Sequence, residues 1–218
     1  MIYFLNLLID RRSVIERSSM AIIVNKEEKR RAIALASKSL LLEHGIKNIT
    51  ISKIAECAGV GKGTIYEYFS NKEDIVFEII SVFIAEHEKR LYELIDEDIS
   101  TKDKIKRSLS LLYSDAYYEK QLSIYREFLA ISLTSNVDEM IAFSRSCRER
   151  FLAILDQIID KAVTMGEIKA EAKNMVGMLH TYSIGLVVES KVDRVDAKVH
   201  IDEFVEALFA FIQKKDIR

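Results

Sequence analysis

The chain has 218 residues, 49% hydrophobic and 30% charged, with 32 Lys and Arg against 34 Asp and Glu, 7 Gly, 2 Cys and no Pro. A chain so poor in glycine and proline, and so rich in Leu, Ile, Ala, Glu and Lys, lacks the punctuation of strands and tight turns, which argues against an all-β or doubly wound fold and for long helices. Cys57 and Cys147 have no spacing that reads as a disulfide framework or a zinc site, which suits a reducing compartment and a cytoplasmic location.

The stretch from Met1 to Ile9 is apolar but has no basic region before it, and it runs into Asp10, Arg11 and Arg12 without a small-residue cleavage site. It is not read as a signal peptide. Residues 1–25 are expected to form a mobile or helical extension, or to precede a start of translation at Met20. No apolar stretch approaches the ~18 to 20 residues of a membrane-spanning helix.

Lys26 to His44 reads as a helix with Ile33, Ala36, Leu40 and Leu41 on one face, and Gly45 supplies the left-handed residue that commonly ends a helix. Gly45, Gly59, Gly61 and Gly63 are four of the 7 glycines, so tight turns are concentrated there. Thr50 offers a capping hydroxyl to a short helix in which Ile51, Ile54, Ala55 and Ala58 repeat at helical spacing. After the turn at Gly59, Val60 and Gly61, a second short helix runs from about Lys62 to Phe69. Its Ile65 and Phe69 are buried, while Gly63, Tyr66 and Glu67 look outward. Two short helices around a glycine turn form a helix-turn-helix unit, whose second helix can enter a DNA major groove. Residues 1–75 carry 12 Lys and Arg against 9 Asp and Glu, and the remainder 20 against 25. A modestly basic front on an acidic body suits a nucleic-acid contact at one end.

Beyond Asn71 the pattern is helical throughout. Helices are expected from Lys72 to about Ile95, Thr101 to Glu119, Gln121 to Leu133, Asn136 to Met165, Glu171 to Glu189 and Val199 to Lys214. The fold class is therefore all-α: a three-helix head over residues 26–71, and a helical bundle over 72–218. The helix from Glu171 to Glu189 is apolar almost all round, which a surface helix cannot sustain. The last helix carries Ile201, Phe204, Val205, Leu208 and Ile212 on one stripe. Both are expected to form a subunit interface, with Gly177 and Gly185 allowing close approach and Phe204 and Leu208 at the contact.

The run from Gly45 to Ile75, with Thr50, Ile54-Ala55, Ala58-Gly59-Val60, Lys62-Gly63-Thr64, Tyr66, Phe69 and Lys72 in order and spacing, resembles the DNA-binding head of the tetracycline-repressor (TetR) family of transcriptional regulators. The resemblance covers about 45 residues from Ile33. Behind the head it extends only to helix number and length. It implies a homodimer on a palindromic double-stranded operator, acting as a repressor released when a small apolar or amphipathic effector enters the helical domain. No enzymatic activity and no cofactor are expected. Thr50 would cap the first helix and touch phosphate, Lys62, Gly63 and Thr64 would open the recognition helix, the hydroxyls of Tyr66 and Tyr68 would reach phosphates, and Lys72 would bind phosphate. Lys62, Gly63 and Glu67 face outward where base edges are read. Two departures stand out: Gly61 where a serine hydroxyl is common in the family, and Glu67, a carboxylate facing a polyanion.

Phe83, Tyr113, Tyr117, Phe128, Met178 and Tyr182 are candidate linings of an effector pocket, since such sites are mostly apolar with a few polar groups. Tyr117-Tyr118 and Tyr125-Arg126-Glu127 are polar aromatic clusters whose hydroxyls and charges are costly to bury unpaired. His44, His87, His180 and His200 show no i, i+4 pair, so no metal site is expected. Cys57 and Cys147 are read as buried or inert thiols; a redox switch at Cys147, with the cation of Ser146-Cys147-Arg148 lowering its pKa, is the lesser alternative. The competing function is a helical protein-interaction scaffold that has lost DNA binding, for which Glu67 speaks. Catalysis has no visible constellation.

Overall fold

The computed structural model describes residues 2–134, 138–192 and 196–214, with side chains from residue 25 onward. The described residues form helices α1 (Ile2–Asn48), α2 (Ile51–Cys57), α3 (Lys62–Tyr68), α4 (Lys72–Asp96), α5 (Thr101–Ser110), α6 (Ala116–Thr134), α7 (Asp138–Thr164), α8 (Val176–Val192) and α9 (Ala197–Ile212). Short 3₁₀ turns lie at Leu111–Tyr113 and Ala170–Met175. The one β-type pairing among them is an isolated antiparallel bridge between Ile168 and Gln213.

The chain divides into two compact units, Met1–Val82 and Phe83–Arg218. The division falls inside α4 rather than at Asn71, where the sequence pattern placed it. Ile75, Val76, Ile79, Ile80 and Val82 are all buried, so the first turns of α4 complete the core of the head.

In the first unit α1 begins at Ile2, well before the expected Lys26, so the extension is helical. Gly45 interrupts it with φ 73° and ψ 171°, a conformation that suits glycine. The buried stripe of α1 is Ile33, Ala34, Ser37, Leu40 and Leu41. Ala36, expected inside, is exposed; Ser37 takes its place one residue on. Thr50 caps α2, its Oγ1 accepting from the Lys53 amide at 3.3 Å. Gly59 closes α2 at φ 64°: its amide donates to Glu56 O at 3.1 Å and the Val60 amide to Ala55 O at 3.0 Å. That double closure is the Schellman pattern, which needs a left-handed residue. Ile54 and Ile65 from the two short helices are buried, as are Phe69, Leu41, Ile46, Ile49 and Ile75. Asn71 starts α4, accepting from the Asp74 amide at 2.7 Å.

The second unit is a helical bundle whose core is built from Leu91, Ile105, Leu109, Ile154, Leu155, Ile158, Leu179, Leu186, Ile201, Val205, Leu208, Phe209 and Ile212. Surface ion pairs join α5 to α9, Lys102 to Glu206 at 2.6 Å and Lys106 to Asp202 at 2.7 Å.

Several helix boundaries differ from the sequence pattern. The expected helix from Thr101 to Glu119 breaks at Ser114, because the Asp115 carboxylate accepts from the Tyr117 and Tyr118 amides at 2.9 and 3.1 Å and starts α6 there. The segment from Glu171 enters as a 3₁₀ turn and becomes α-helical at Val176. The last helix starts two residues early, at Ala197, because Asp196 caps it by accepting from the Lys198 amide at 2.9 Å. The expected start of α7 at Asn136 lies outside the described residues.

Candidate functional site

The first unit presents α3 as a two-turn helix held from behind. Ile65 and Phe69 are buried, and Lys62, Gly63, Tyr66 and Glu67 are exposed, with Thr64 and Tyr68 half-buried. The alternation follows from helical spacing: anchoring positions 65 and 69 turns 62, 63, 66 and 67 to solvent. Gly61 occupies the N-cap and supplies no side-chain bond, so the first amides of α3 are left without a side-chain acceptor, as phosphate binding requires. Thr50 Oγ1, which accepts from the Lys53 amide, keeps its own proton to donate.

Lys72 stands at the first turn of α4 and donates from Nζ to the backbone oxygen of Lys47 at 3.2 Å. The ammonium thus bridges the end of α1 and the start of α4 and retains two further N–H donors. The eight sequence-predicted DNA residues, Thr50, Lys62, Gly63, Thr64, Tyr66, Glu67, Tyr68 and Lys72, all fall within this one unit.

The sequence pattern gave no hint of Arg30. Its guanidinium donates from NH1 to the Tyr68 backbone oxygen at 2.5 Å, from NH2 to Asp74 Oδ1 at 2.6 Å and from Nε to Glu78 Oε2 at 3.2 Å. It also lies 4.3 Å above the centre of the Phe69 ring, a cation–π geometry. Burial works to raise the Asp74 pKa, but hydrogen bonds from Arg30 and the Ser70 amide, with the Arg30 charge, outweigh it and hold the carboxyl below its usual value.

The aromatic residues proposed to line an effector pocket separate in the second unit. Phe128 is buried in an aromatic group, stacked on Tyr125 at 6.4 Å and edge-on to Phe143 at 5.6 Å. Burial raises the Tyr113 pKa, opposed by a hydrogen bond with Ser190 and by the Arg126 charge. Burial pushes Tyr125 up to about 12, reinforced by Cys147 and Tyr113. Phe83 is buried in the core. Met178, by contrast, is 63% exposed on the surface of α8. Tyr117 is also exposed, donating to Glu86 at 3.0 Å. Tyr182 stacks on Phe204 and donates to the His200 backbone oxygen at 2.8 Å. Met178 is therefore not an interior residue; its neighbours on α8 turn Leu179 inward instead.

Some polar atoms of the second unit are buried. His87 Nδ1, Gln121 Nε2 and Ser144 Oγ are buried without hydrogen-bond partners in the described residues. Arg126 donates to the Val187 backbone oxygen at 3.0 Å and to Ser190 Oγ at 2.9 Å. Burial raises the Cys147 pKa, only partly opposed by the hydrogen bond and charge of Arg150, so the lesser reading of a thiol activated by Arg148 finds no support. Among the described residues no group of three or more His, Cys, Asp and Glu can hold a metal ion, and no helix is long and apolar enough to cross a membrane.

The interface residues also divide. Gly177 and Gly185 are exposed, with open space where a Cβ would stand. Leu208, however, is only 5% exposed and belongs to the subunit's own core, and Phe204 is half-buried against Tyr182. Leu208 is therefore a core residue. The apolar surface of α8 and α9 lies instead at Met178, Val188 and Val192, and at Val199 and Phe211.

A helix-turn-helix unit with an anchored, solvent-facing second helix, joined to a helical bundle, defines a DNA-binding transcriptional regulator. The family model described as "Bacterial regulatory proteins, tetR family" matches residues 33–79. The chain is 30% identical over 148 residues to the fatty acid metabolism regulator protein of Bacillus subtilis, covering 66% of this chain and 73% of that protein. Its fold is similar to that of FadR from Bacillus subtilis, crystallised with stearoyl-CoA, at 26% identity and TM-score 0.62 over 81% of this chain and 96% of the other. FadR from Bacillus halodurans has the same fold, at 20% identity and TM-score 0.62 over 84% and 95%. The chain belongs to the TetR family of transcriptional regulators.

Proposed function

We propose that the protein is a homodimeric repressor that binds an inverted-repeat operator through α3 and leaves it when a small amphipathic effector enters the second unit. The observation that carries the DNA reading is α3 itself: Lys62, Gly63, Tyr66 and Glu67 are exposed while Ile65 and Phe69 are buried at its back. Lys62, Gly63 and Glu67 are placed to meet base edges, and Thr50, Thr64, Tyr66, Tyr68 and Lys72 to meet phosphates. Residues 26–71 with the first turns of α4 act as the DNA-binding domain, and the rest of the chain as the effector-binding and dimerisation domain. It acts in the cytoplasm, as a regulator and not as an enzyme.

The buried polar atoms of His87, Gln121 and Ser144 that lack partners support an effector site in the interior of the second unit, because such groups are costly unless something satisfies them. Phe128 and Phe83 supply its apolar surface. The relative from Bacillus subtilis holds stearoyl-CoA, which makes long-chain acyl thioesters the first class to test.

Selection from random duplex DNA with the purified full chain tests the reading. Enrichment of an inverted repeat, with binding weakened by a long-chain acyl thioester, is expected. Failure to enrich any sequence would favour the scaffold reading. An enriched operator indifferent to every acyl thioester would remove that effector class and leave DNA recognition standing.

A further inference from the structure

Arg30 lies on α1, three residues before the segment matched by the family model, yet its guanidinium holds both the end of α3 and the start of α4. NH1 donates to the Tyr68 backbone oxygen, the last residue of α3, and to Asp74 Oδ2 at 3.3 Å; NH2 and Nε take Asp74 Oδ1 and Glu78. Asp74 Oδ2 in turn accepts from the Ser70 amide at 3.0 Å, so the link between the helices is fastened by the same carboxylate. Phe69, the C-cap of α3, lies under the guanidinium plane.

A seven-residue helix is too short to be stable alone, and its direction is set by what holds its ends. The N-terminus of α3 has no side-chain cap. Its C-terminus carries the negative end of the helix dipole, against which a cation is favourable. Four of the five guanidinium N–H directions are occupied inside the head, which leaves little for a phosphate. Base reading tolerates a misplacement of only about 0.5 Å or 10 to 20°.

We infer that Arg30 is a positioning residue for sequence reading: it fixes the angle at which α3 meets the groove without itself touching DNA. A lysine cannot replace it, because one ammonium cannot span the Tyr68 oxygen, Asp74 and Glu78 in a fixed plane. The inference rests on α3 being the reading helix.

The test titrates the full-length wild type, Arg30→Gln, Arg30→Lys and Asp74→Asn against the selected operator and a scrambled duplex of equal length over a range of salt. Each protein is held below its melting transition, with helix content checked. For Arg30→Gln the operator affinity is expected to fall about tenfold, comparable to one mismatched base pair, while the scrambled duplex changes less than about twofold. Arg30→Lys and Asp74→Asn should lower the operator-to-scrambled ratio in the same direction, and they carry the test if Arg30→Gln does not fold. Equal losses on both duplexes would mean that Arg30 only maintains the fold. A salt slope lower by about one unit would make it a phosphate contact. Either result, or unchanged operator affinity, overturns the inference. A wild type that distinguishes no duplex overturns the reading of α3 itself.

Discussion

Tyr182 and Phe204 stack face to face, their ring centroids 3.7 Å apart and their planes 7° from parallel, so α8 and α9 are joined through Phe204 within one subunit. The apolar groups left for a second copy are then Met178, Val188, Val192, Val199 and Phe211. Val188→Glu combined with Phe211→Glu is expected to give a monomer in sedimentation at micromolar concentration, with helix content unchanged. Leu208→Ala should behave oppositely, remaining dimeric while losing about 2 to 5 kcal/mol of stability to a core cavity. Monomers from Leu208→Ala, or dimers from the double variant, would move the interface elsewhere.

Lys72→Ala is expected to weaken binding to all duplexes alike and to lower the slope of log K against log salt by about one unit. Because Lys72 also donates to the Lys47 backbone oxygen, a small loss of melting temperature should accompany it. A change of preferred operator at constant salt slope would contradict the phosphate assignment.

Glu67→Gln removes a carboxylate from the exposed face of α3 while keeping a hydrogen-bonding group. General affinity should rise and preference relax at one base pair, as expected for a carboxylate that otherwise accepts from a cytosine amino group. Binding arrays over single-base variants of the operator read both effects. Unchanged affinity and preference would place Glu67 clear of the groove.

Acid should weaken the fold through His87. Its pKa is lowered to about 4 by burial, so the folded chain keeps the ring neutral where the unfolded chain protonates it. The stability from keeping it neutral is fully present above the unfolded value of 6.5 and is lost as pH falls toward 4, up to about 3 kcal/mol for this group. His180, lowered by burial and then by Arg148, adds to the same slope. Denaturant titrations from pH 7 to 4 should show the loss in the wild type and a flatter dependence in His87→Leu. Equal slopes would mean that His87 is solvated.

What the sequence disclosed was local. Thr50 and Gly59 act on amides and carbonyls within five residues of themselves, so the head could be read from spacing. Arg30 could not, because its partners lie 38 to 48 residues away and an exposed-looking cation before a helix has no distinguishing pattern. The burial of Leu208 in the subunit's own core was not legible for a different reason. α9 is apolar on several sides, and periodicity cannot decide which side its own subunit covers. Met178 went astray likewise, since α8 is apolar nearly all round. The break at Ser114 was legible in principle, because Asp115 is a good N-cap residue.

The measurement that bears most directly on the account is the stoichiometry and footprint of the full chain on its selected duplex. Two chains per duplex, protecting two major-groove segments on one face about 34 to 36 Å apart, are predicted. One chain per duplex, or protection spread without register along any DNA, would contradict it.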